Sequence, residues 1–245
     1  MRALLTDAYR TLVPPQEDRH GPLPPLLLTL TLVTGLVDAV SYLALGQVFV
    51  ANMTGNVVFL GFALTGADGL SAPASAVSLT AFLAGALAGG RLGLRFAGNR
   101  GRLLAVASAA QAALVAVTVA VAASTGGEVT TPVRYTLIVF LGVAMGAQNA
   151  VARRLGVPDL TTTVLTLTLT GLAADSTAGG GRAPRPGRRI LSVLTMFLGA
   201  VVGAVLIEYD RLVLLLGLVL LLVVGTSVAA YRLSAGGTAW TRPPS

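Results

Sequence analysis

Residues 103–123 read LLAVASAAQAALVAVTVAVAA, twenty-one consecutive positions without a charge. At about 1.5 Å per residue such a run makes a helix of roughly 32 Å, which matches the ~30 Å hydrocarbon core of a bilayer. A membrane β-strand would alternate in polarity over about ten residues, and this run does not. Backbone groups in lipid must be satisfied within their own segment, so the run is read as a spanning helix. Comparable apolar segments recur at 25–46, 48–66, 74–93, 133–152, 157–173, 190–208 and 212–231. Over the whole chain of 245 residues, 54% are hydrophobic and 11% charged, with a mean hydropathy of +0.81. Soluble domains carry about 25% charged residues. The sequence therefore predicts an all-α polytopic membrane protein.

Two segments differ from the rest. Those at 48–66 and 157–173 are short and open on polar or helix-breaking residues, Asn52-Met53-Thr54-Gly55-Asn56 in one and Pro158-Asp159-Leu160-Thr161-Thr162-Thr163 in the other. Arginine placement tests whether they cross, because each crossing moves every later loop to the other side. With eight crossings, one of the clusters Arg91, Arg95, Arg100, Arg102 or Arg182, Arg185, Arg188, Arg189 falls outside, against the positive-inside rule. With six full spans plus two broken or re-entrant segments, every arginine but Arg134 and Arg211 lies inside. The expected organisation is a cytoplasmic tail at 1–22, a first membrane repeat at 23–124, a second at 125–231 with a cytoplasmic loop at 175–189, and a cytoplasmic tail at 232–245. The expected location is a bacterial inner membrane with both termini cytoplasmic.

The halves align at an offset of 107 residues, which sets Gly35 on Gly142, Val50 on Val157, Thr54 on Thr161, Val57 on Val164 and Asn52 on Asp159. Seven further residues set Gly85 and Gly89 on Gly199 and Gly203. Three spans per half is an odd number, so the second half inserts upside down, as an inverted 3+3 repeat. Gly85 and Gly89, Gly142 and Gly146, and Gly199 and Gly203 are spaced four apart, which suits close helix packing.

Asp38 lies deep in the first span, with Thr34, Ser41 and Tyr42 on the same helical face. A carboxylate at that depth is protonated, paired or facing water, so it is either a proton or substrate site or a packing group that holds helices in register. The run Asn52, Thr54, Gly55, Asn56 either lines a pathway or makes a tight turn that caps the next helix. Gln148 and Asn149 near the end of the fifth span, with Asp159, Thr161, Thr162 and Thr163, are the matching candidates in the second half. Asp159 also fits an N-cap, and the threonines fit bonding to their own helix.

The chain has no cysteine, and its one histidine, His20, stands in the N-terminal stretch. No metal-ligand cluster, phosphate-binding glycine loop or serine–histidine pair at depth is legible, so no enzyme activity, cofactor or metal is expected. The net charge of +7 comes from arginines set between apolar runs. The expected partners are the lipid bilayer and a small solute or ion, not nucleic acid, and the composition leaves room for a homo-oligomer.

Gly35-Leu-Val-Asp-Ala-Val-Ser-Tyr-Leu-Ala-Leu-Gly46, followed by Val48-Phe-Val-Ala-Asn-Met-Thr-Gly-Asn-Val57, resembles the signature of the YoaK-like family of bacterial membrane proteins. Gly146-Ala-Gln-Asn149, Arg153-Arg154 and Thr161-Thr-Thr-Val-Leu-Thr166 resemble its second-half motifs. The resemblance covers residues 25–231 and implies a multi-spanning inner-membrane protein of about six helices, with no substrate. The two readings carried forward are a small-solute or ion transporter or channel, proton-coupled through Asp38, and a non-transporting membrane scaffold.

Overall fold

The computed structural model describes residues 2–15, 18–163, 165–176, 179–181, 185–235 and 239–242. Arg182 and Val164 lie outside the described residues, as do parts of the 175–189 loop and of the C-terminal tail. The described residues are helical, without strands: α1 (Arg2–Leu12), α2 (Leu23–Ala44), α3 (Met53–Leu64), α4 (Ala72–Arg95), α5 (Arg100–Ser124), α6 (Thr131–Leu155), α7 (Leu165–Ala174), α8 (Pro186–Glu208) and α9 (Leu212–Ser234), with a 3-10 turn at Ala239–Thr241.

Six of these helices, α2, α4, α5, α6, α8 and α9, have 22 to 25 residues and are apolar enough to span. At ~1.5 Å per residue they reach roughly 33–38 Å. The 12-residue α3 and 10-residue α7 reach only about 18 and 15 Å, which is short of the ~30 Å core. Each is flanked by spans that leave and re-enter at the same end of the bundle, so segments 48–66 and 157–173 do not cross. The protein is a six-span helical membrane protein with two short broken segments.

Local chemistry sets the helix ends. Ser71 accepts from the Ala74 N–H at 3.3 Å to start α4, and Asn99 accepts from the Arg102 N–H at 2.8 Å to start α5. Gly156, at φ 63°, closes α6 in the left-handed conformation. Proline occupies the first turn of α2, α4, α6 and α8, where no N–H is needed.

The long helices pack in three pairs, α2 with α8 and α4 with α6, each parallel, and α5 with α9, antiparallel. At two of these seams glycines bring backbones together. A Cβ on Gly35 would strike the Met196 carbonyl and one on Gly199 the Leu32 carbonyl, while Gly203 faces Ala39 and Leu36. At the other seam, Gly85 meets the Val143 carbonyl, Gly89 the Ala147 carbonyl, Gly146 the Phe82 carbonyl and Gly142 the Ala81 methyl. Such contact allows the dispersion that holds helices together in lipid. α2 is the enclosed centre, whereas α4, α8 and α9 turn Leu83, Leu87, Phe197, Val201, Leu214 and Leu221 outward. A rim of exposed aliphatic side chains with polar groups inside reverses the soluble pattern, as a bilayer solvent requires.

One end of the bundle carries the arginines. There Arg100 is buried, donating to the carbonyls of Leu155, Arg19 and Trp240 and meeting the His20 ring at 3.2 Å. The N-terminal stretch, read from sequence as a polar tail, contains α1 because Leu4 and Ala8 share a face that seats on Gly187. Asp7 accepts from the Arg188 N–H at 3.1 Å, placing a carboxylate at the positive end of α8. At the opposite end, Ala44, Gly127, Glu128, Ile207, Asp210 and Leu212 surround a cleft of about 440 Å³.

Candidate functional site

Asp38 is the sixteenth of the 22 residues of α2, so it lies nearer the arginine-poor end than the apolar run alone suggests. α2 stops at Leu45, and Gly46 and Gln47, at φ 91° and 55°, reverse the chain. Residues 48–52 then run back along the helix without a ladder partner. Their backbone groups need acceptors and donors at membrane depth. Asp38 supplies one acceptor: its Oδ1 receives the Ala51 N–H at 3.2 Å and its Oδ2 the Asn52 amide. The carboxyl group is 6% exposed and has no ion-pair partner among the described residues. Both of its bonds come from neutral donors.

Asn56 supplies the next set. Its Oδ1 accepts from the Phe49 N–H at 2.8 Å and its Nδ2 donates to the Phe49 carbonyl and, at 3.1 Å, to Ser78. Ser78 also donates to the Phe49 carbonyl at 2.6 Å. Asn52 does occupy the N-cap position of α3, but its side chain makes no cap bond; its amide nitrogen donates to the Asp38 carboxyl group. Gly55 leaves room for the Phe49 ring, which a Cβ would approach at 2.7 Å. Tyr42 stacks on that ring with centroids 5.2 Å apart, at the rim. Thr54 is exposed. Ser41 donates to the Asp38 carbonyl at 3.2 Å and does not touch the carboxyl group.

A second polar group lies at the centre of the bundle. Gln148 donates to Thr34 Oγ1 at 3.0 Å and to the Leu30 carbonyl at 3.3 Å, and accepts from Gln111 at 2.7 Å. It thereby joins α6 to α2 and α5. Thr34, placed by sequence on the Asp38 face, faces Gln148. Gln111 went unnoticed in the sequence although it is the one amide in the run 103–123, a signal that residue type alone carries. Ser78 gave no such signal, since serine is ordinary in membrane helices.

In the second half, Asp159 stands in a left-handed turn at φ 64° and pairs with Arg189 at 2.9 Å, while Arg189 also holds Asp175 at 2.7 Å. Asp159 is thus neither an N-cap nor near Asp38, which lies toward the other end. Thr163 donates to Asn149, and Asn149 donates to the Met145 carbonyl at 2.9 Å. Thr162 is buried, and its hydroxyl has no hydrogen-bond partner among the described residues. Asn149, Thr161 and Thr163 face a cavity of about 810 Å³ that is also walled by Phe82, Ala86, Gly90 and Ala150 and rimmed by Arg153 and Arg154. Gln148, next to Asn149 in sequence, points instead into the bundle, onto Thr34, one turn of α2 from Asp38.

At the arginine-rich end, the His20 imidazole falls to a pKa of about 4, first through burial and then through the neighbouring Arg100 and Arg188 charges.

Residues 26–228 match the family model described as "Protein of unknown function (DUF1275)". The chain is 34% identical over 151 residues to the UPF0700 transmembrane protein YoaK of Bacillus subtilis (strain 168), an alignment covering 61% of this chain and 65% of that protein's length. No solved structure matches. The family model spans most of the chain, through the six helices and both broken segments, and the chain belongs to the DUF1275, YoaK-like family of membrane proteins.

Proposed function

We propose that this protein moves a small solute or ion across the bacterial inner membrane, with Asp38 as its ionisable group and proton carrier. The observation behind this reading is a carboxyl group enclosed in a spanning helix and held only by neutral donors. A carboxylate so placed is strongly disfavoured without a cation, so the group either binds a proton or receives one with its cargo. A second buried polar group, Gln148 bonded to Thr34 and Gln111, lies one turn of α2 from Asp38 and extends the polar interior of the bundle. The arginine-rich end is read as cytoplasmic, with both termini there.

The helix pairing supports an inverted repeat. At an offset of 107 residues α2 corresponds to α6, and with seven more α4 corresponds to α8, so the seams α2 with α8 and α6 with α4 are equivalent. Gly35 and Gly199, which meet at the first seam, correspond to Gly142 and Gly85, which meet Ala81 and Val143 at the second. Repeats of this kind form a site where their broken segments approach the middle of the bilayer. A scaffold reading draws on a different observation, that Asn56 and Ser78 are fully used in satisfying the Phe49 backbone.

Asp38→Asn separates the two readings, because asparagine still accepts from the Ala51 N–H and an amide flip at residue 52 restores the second bond. The measurement is thermal stability of the purified protein against panels of inorganic ions, amino acids, sugars, nucleobases and organic acids, followed by flux of any stabilising compound in proteoliposomes with a pH-sensitive dye. Transport predicts a compound that raises wild-type stability and drives proton flux, with both effects lost in a folded Asp38→Asn protein. A variant that is markedly less stable by itself, with no compound bound by either protein, would favour the scaffold.

A further inference from the structure

The cavity between α4 and α6 has an amphipathic lining that a water-soluble cargo does not need. One wall is Phe82, Ala86 and Gly90, successive turns of α4 that cover about 12 Å along the helix. The facing wall is Ala150 and Asn149 of α6, and the rim carries Arg153 and Arg154. Two of the three polar groups beside it, Thr163 and Asn149, are bonded within the protein, Thr163 donating to Asn149 and Asn149 to the Met145 carbonyl. The arginines are not: among the described residues the ion pairs belong to Arg189 alone, and both rim arginines are exposed. The Arg154 stem lies across Gly93, the next turn of α4, which carries its charged head to the end of the seam. A Cβ on Gly90 would meet nothing within 4 Å, so the apolar wall has open space beside it.

We infer that this cavity is a site for one anionic glycerophospholipid of the surrounding leaflet. The phosphate sits between Arg153 and Arg154, and the upper part of an acyl chain lies along Phe82, Ala86 and Gly90. The charge at the rim answers the headgroup, and the apolar wall answers the chain. The volume of about 810 Å³ falls within the roughly 300–1,000 Å³ of small-molecule sites. A basic pocket between spanning helices is a recurrent way of holding such headgroups. This inference stands apart from the transport reading, since it requires nothing of Asp38.

The test is lipid retention by native mass spectrometry, with the purified full-length protein in mixed micelles of equal phosphatidylglycerol and phosphatidylcholine. Wild type is expected to retain phosphatidylglycerol preferentially. The double variant Arg153→Gln, Arg154→Gln is expected to lose that preference by roughly 30-fold in affinity, from about fivefold per arginine. Gly90→Leu fills the space along α4 without altering charge and is expected to expel the lipid as well; it decides the matter if the double variant does not fold. Glycerol 3-phosphate at millimolar concentration is expected not to compete. Unchanged phosphatidylglycerol retention in a folded variant would overturn the site, and competition by glycerol 3-phosphate equal to that of the lipid would assign it to a soluble phosphate compound.

Discussion

Asn56→Leu tests whether the first broken segment depends on side chains standing in for a missing backbone ladder. Asn56 is fully buried and serves the Phe49 N–H, the Phe49 carbonyl and Ser78. Leucine has similar volume, so packing is largely conserved and the change removes hydrogen bonds. The Phe49 carbonyl keeps Ser78, but its N–H loses its acceptor at a depth where water does not replace it. An orphaned buried donor costs about 1–3 kcal/mol, and the remaining lost bonds add about 1 kcal/mol, giving roughly 3 kcal/mol in all. In a chain of this length that corresponds to a fall in Tm of about 6–12 °C. The assay is thermal unfolding in detergent followed by tryptophan fluorescence or light scattering, with Thr54→Ala as the exposed comparison two residues away, expected within about 0.5 kcal/mol of wild type. Ser78→Ala combined with Asn56→Leu is expected to be non-additive, because the two residues share the Phe49 carbonyl. An Asn56→Leu protein that melts with wild type would refute the reasoning, since it would mean that the extended stretch 48–52 is satisfied in some other way.

Gly85→Ala places a methyl group against the Val143 carbonyl and is expected to destabilise by about 2–3 kcal/mol in the same melt, whereas Gly217→Ala, with open space at that position, is expected to be neutral or slightly stabilising. Gln148→Leu alone leaves the Gln111 amide and the Thr34 hydroxyl without their partner, so it is expected to cost more than Gln111→Leu with Gln148→Leu together, as read from the Tm of the three proteins. His20, with a pKa of about 4 in the fold against an ordinary 6.5, binds its proton more weakly in the native state. Its contribution is therefore whole above pH 6.5, declines as pH falls through the window between these values, and is constant below 4. The full shift corresponds to about 3 kcal/mol and solvent screening at the bundle end reduces the expected loss to roughly 1–2 kcal/mol, checked by melting wild type and His20→Gln from pH 7.5 to 4.

The six spans were legible because each carries an unbroken apolar run, and the two short segments because their opening residues break that run and arginine placement forbids their crossing. Their bounds moved most. Residues 48–52 stay extended, and α3 begins only at Met53; likewise α7 begins at Leu165, after two turns at Asp159 and Thr162 with positive φ. The alternation of Thr166, Thr168 and Thr170 with leucines has the period of a strand, yet the segment is helical, because a lone strand at membrane depth has no ladder to join. What the sequence does not carry is the return of the chain at Gly46 and Gln47, which brings Asn52 onto a carboxyl group fourteen positions earlier. Likewise the bond from Gln148 to Thr34 joins residues more than a hundred positions apart. Both depend on helix pairing, which composition leaves undetermined.

The two halves place different chemistry on equivalent backbone, and that difference yields a last test. Under the offset of 107, Asp38 falls on Met145, Asn52 on Asp159 and Asn56 on Thr163. In the first half the carboxylate belongs to the spanning helix and the amide to the broken segment; in the second, the broken segment holds the carboxylate and Arg189 neutralises it. Paired with Arg189, Asp159 clamps the loop that leads into α8, and the proposed transport rests on Asp38 alone as the group whose charge changes with cargo. Asp159→Asn is therefore expected to lower stability by about 1–2 kcal/mol, with Arg189 keeping Asp175, and to leave any proton flux through the protein intact. Asp38→Asn is expected to do the reverse, holding Tm within a few degrees while abolishing proton flux. Loss of flux in a folded Asp159→Asn protein, measured in the same proteoliposomes, would move the ionisable site to the second half and with it the direction in which the cycle is read.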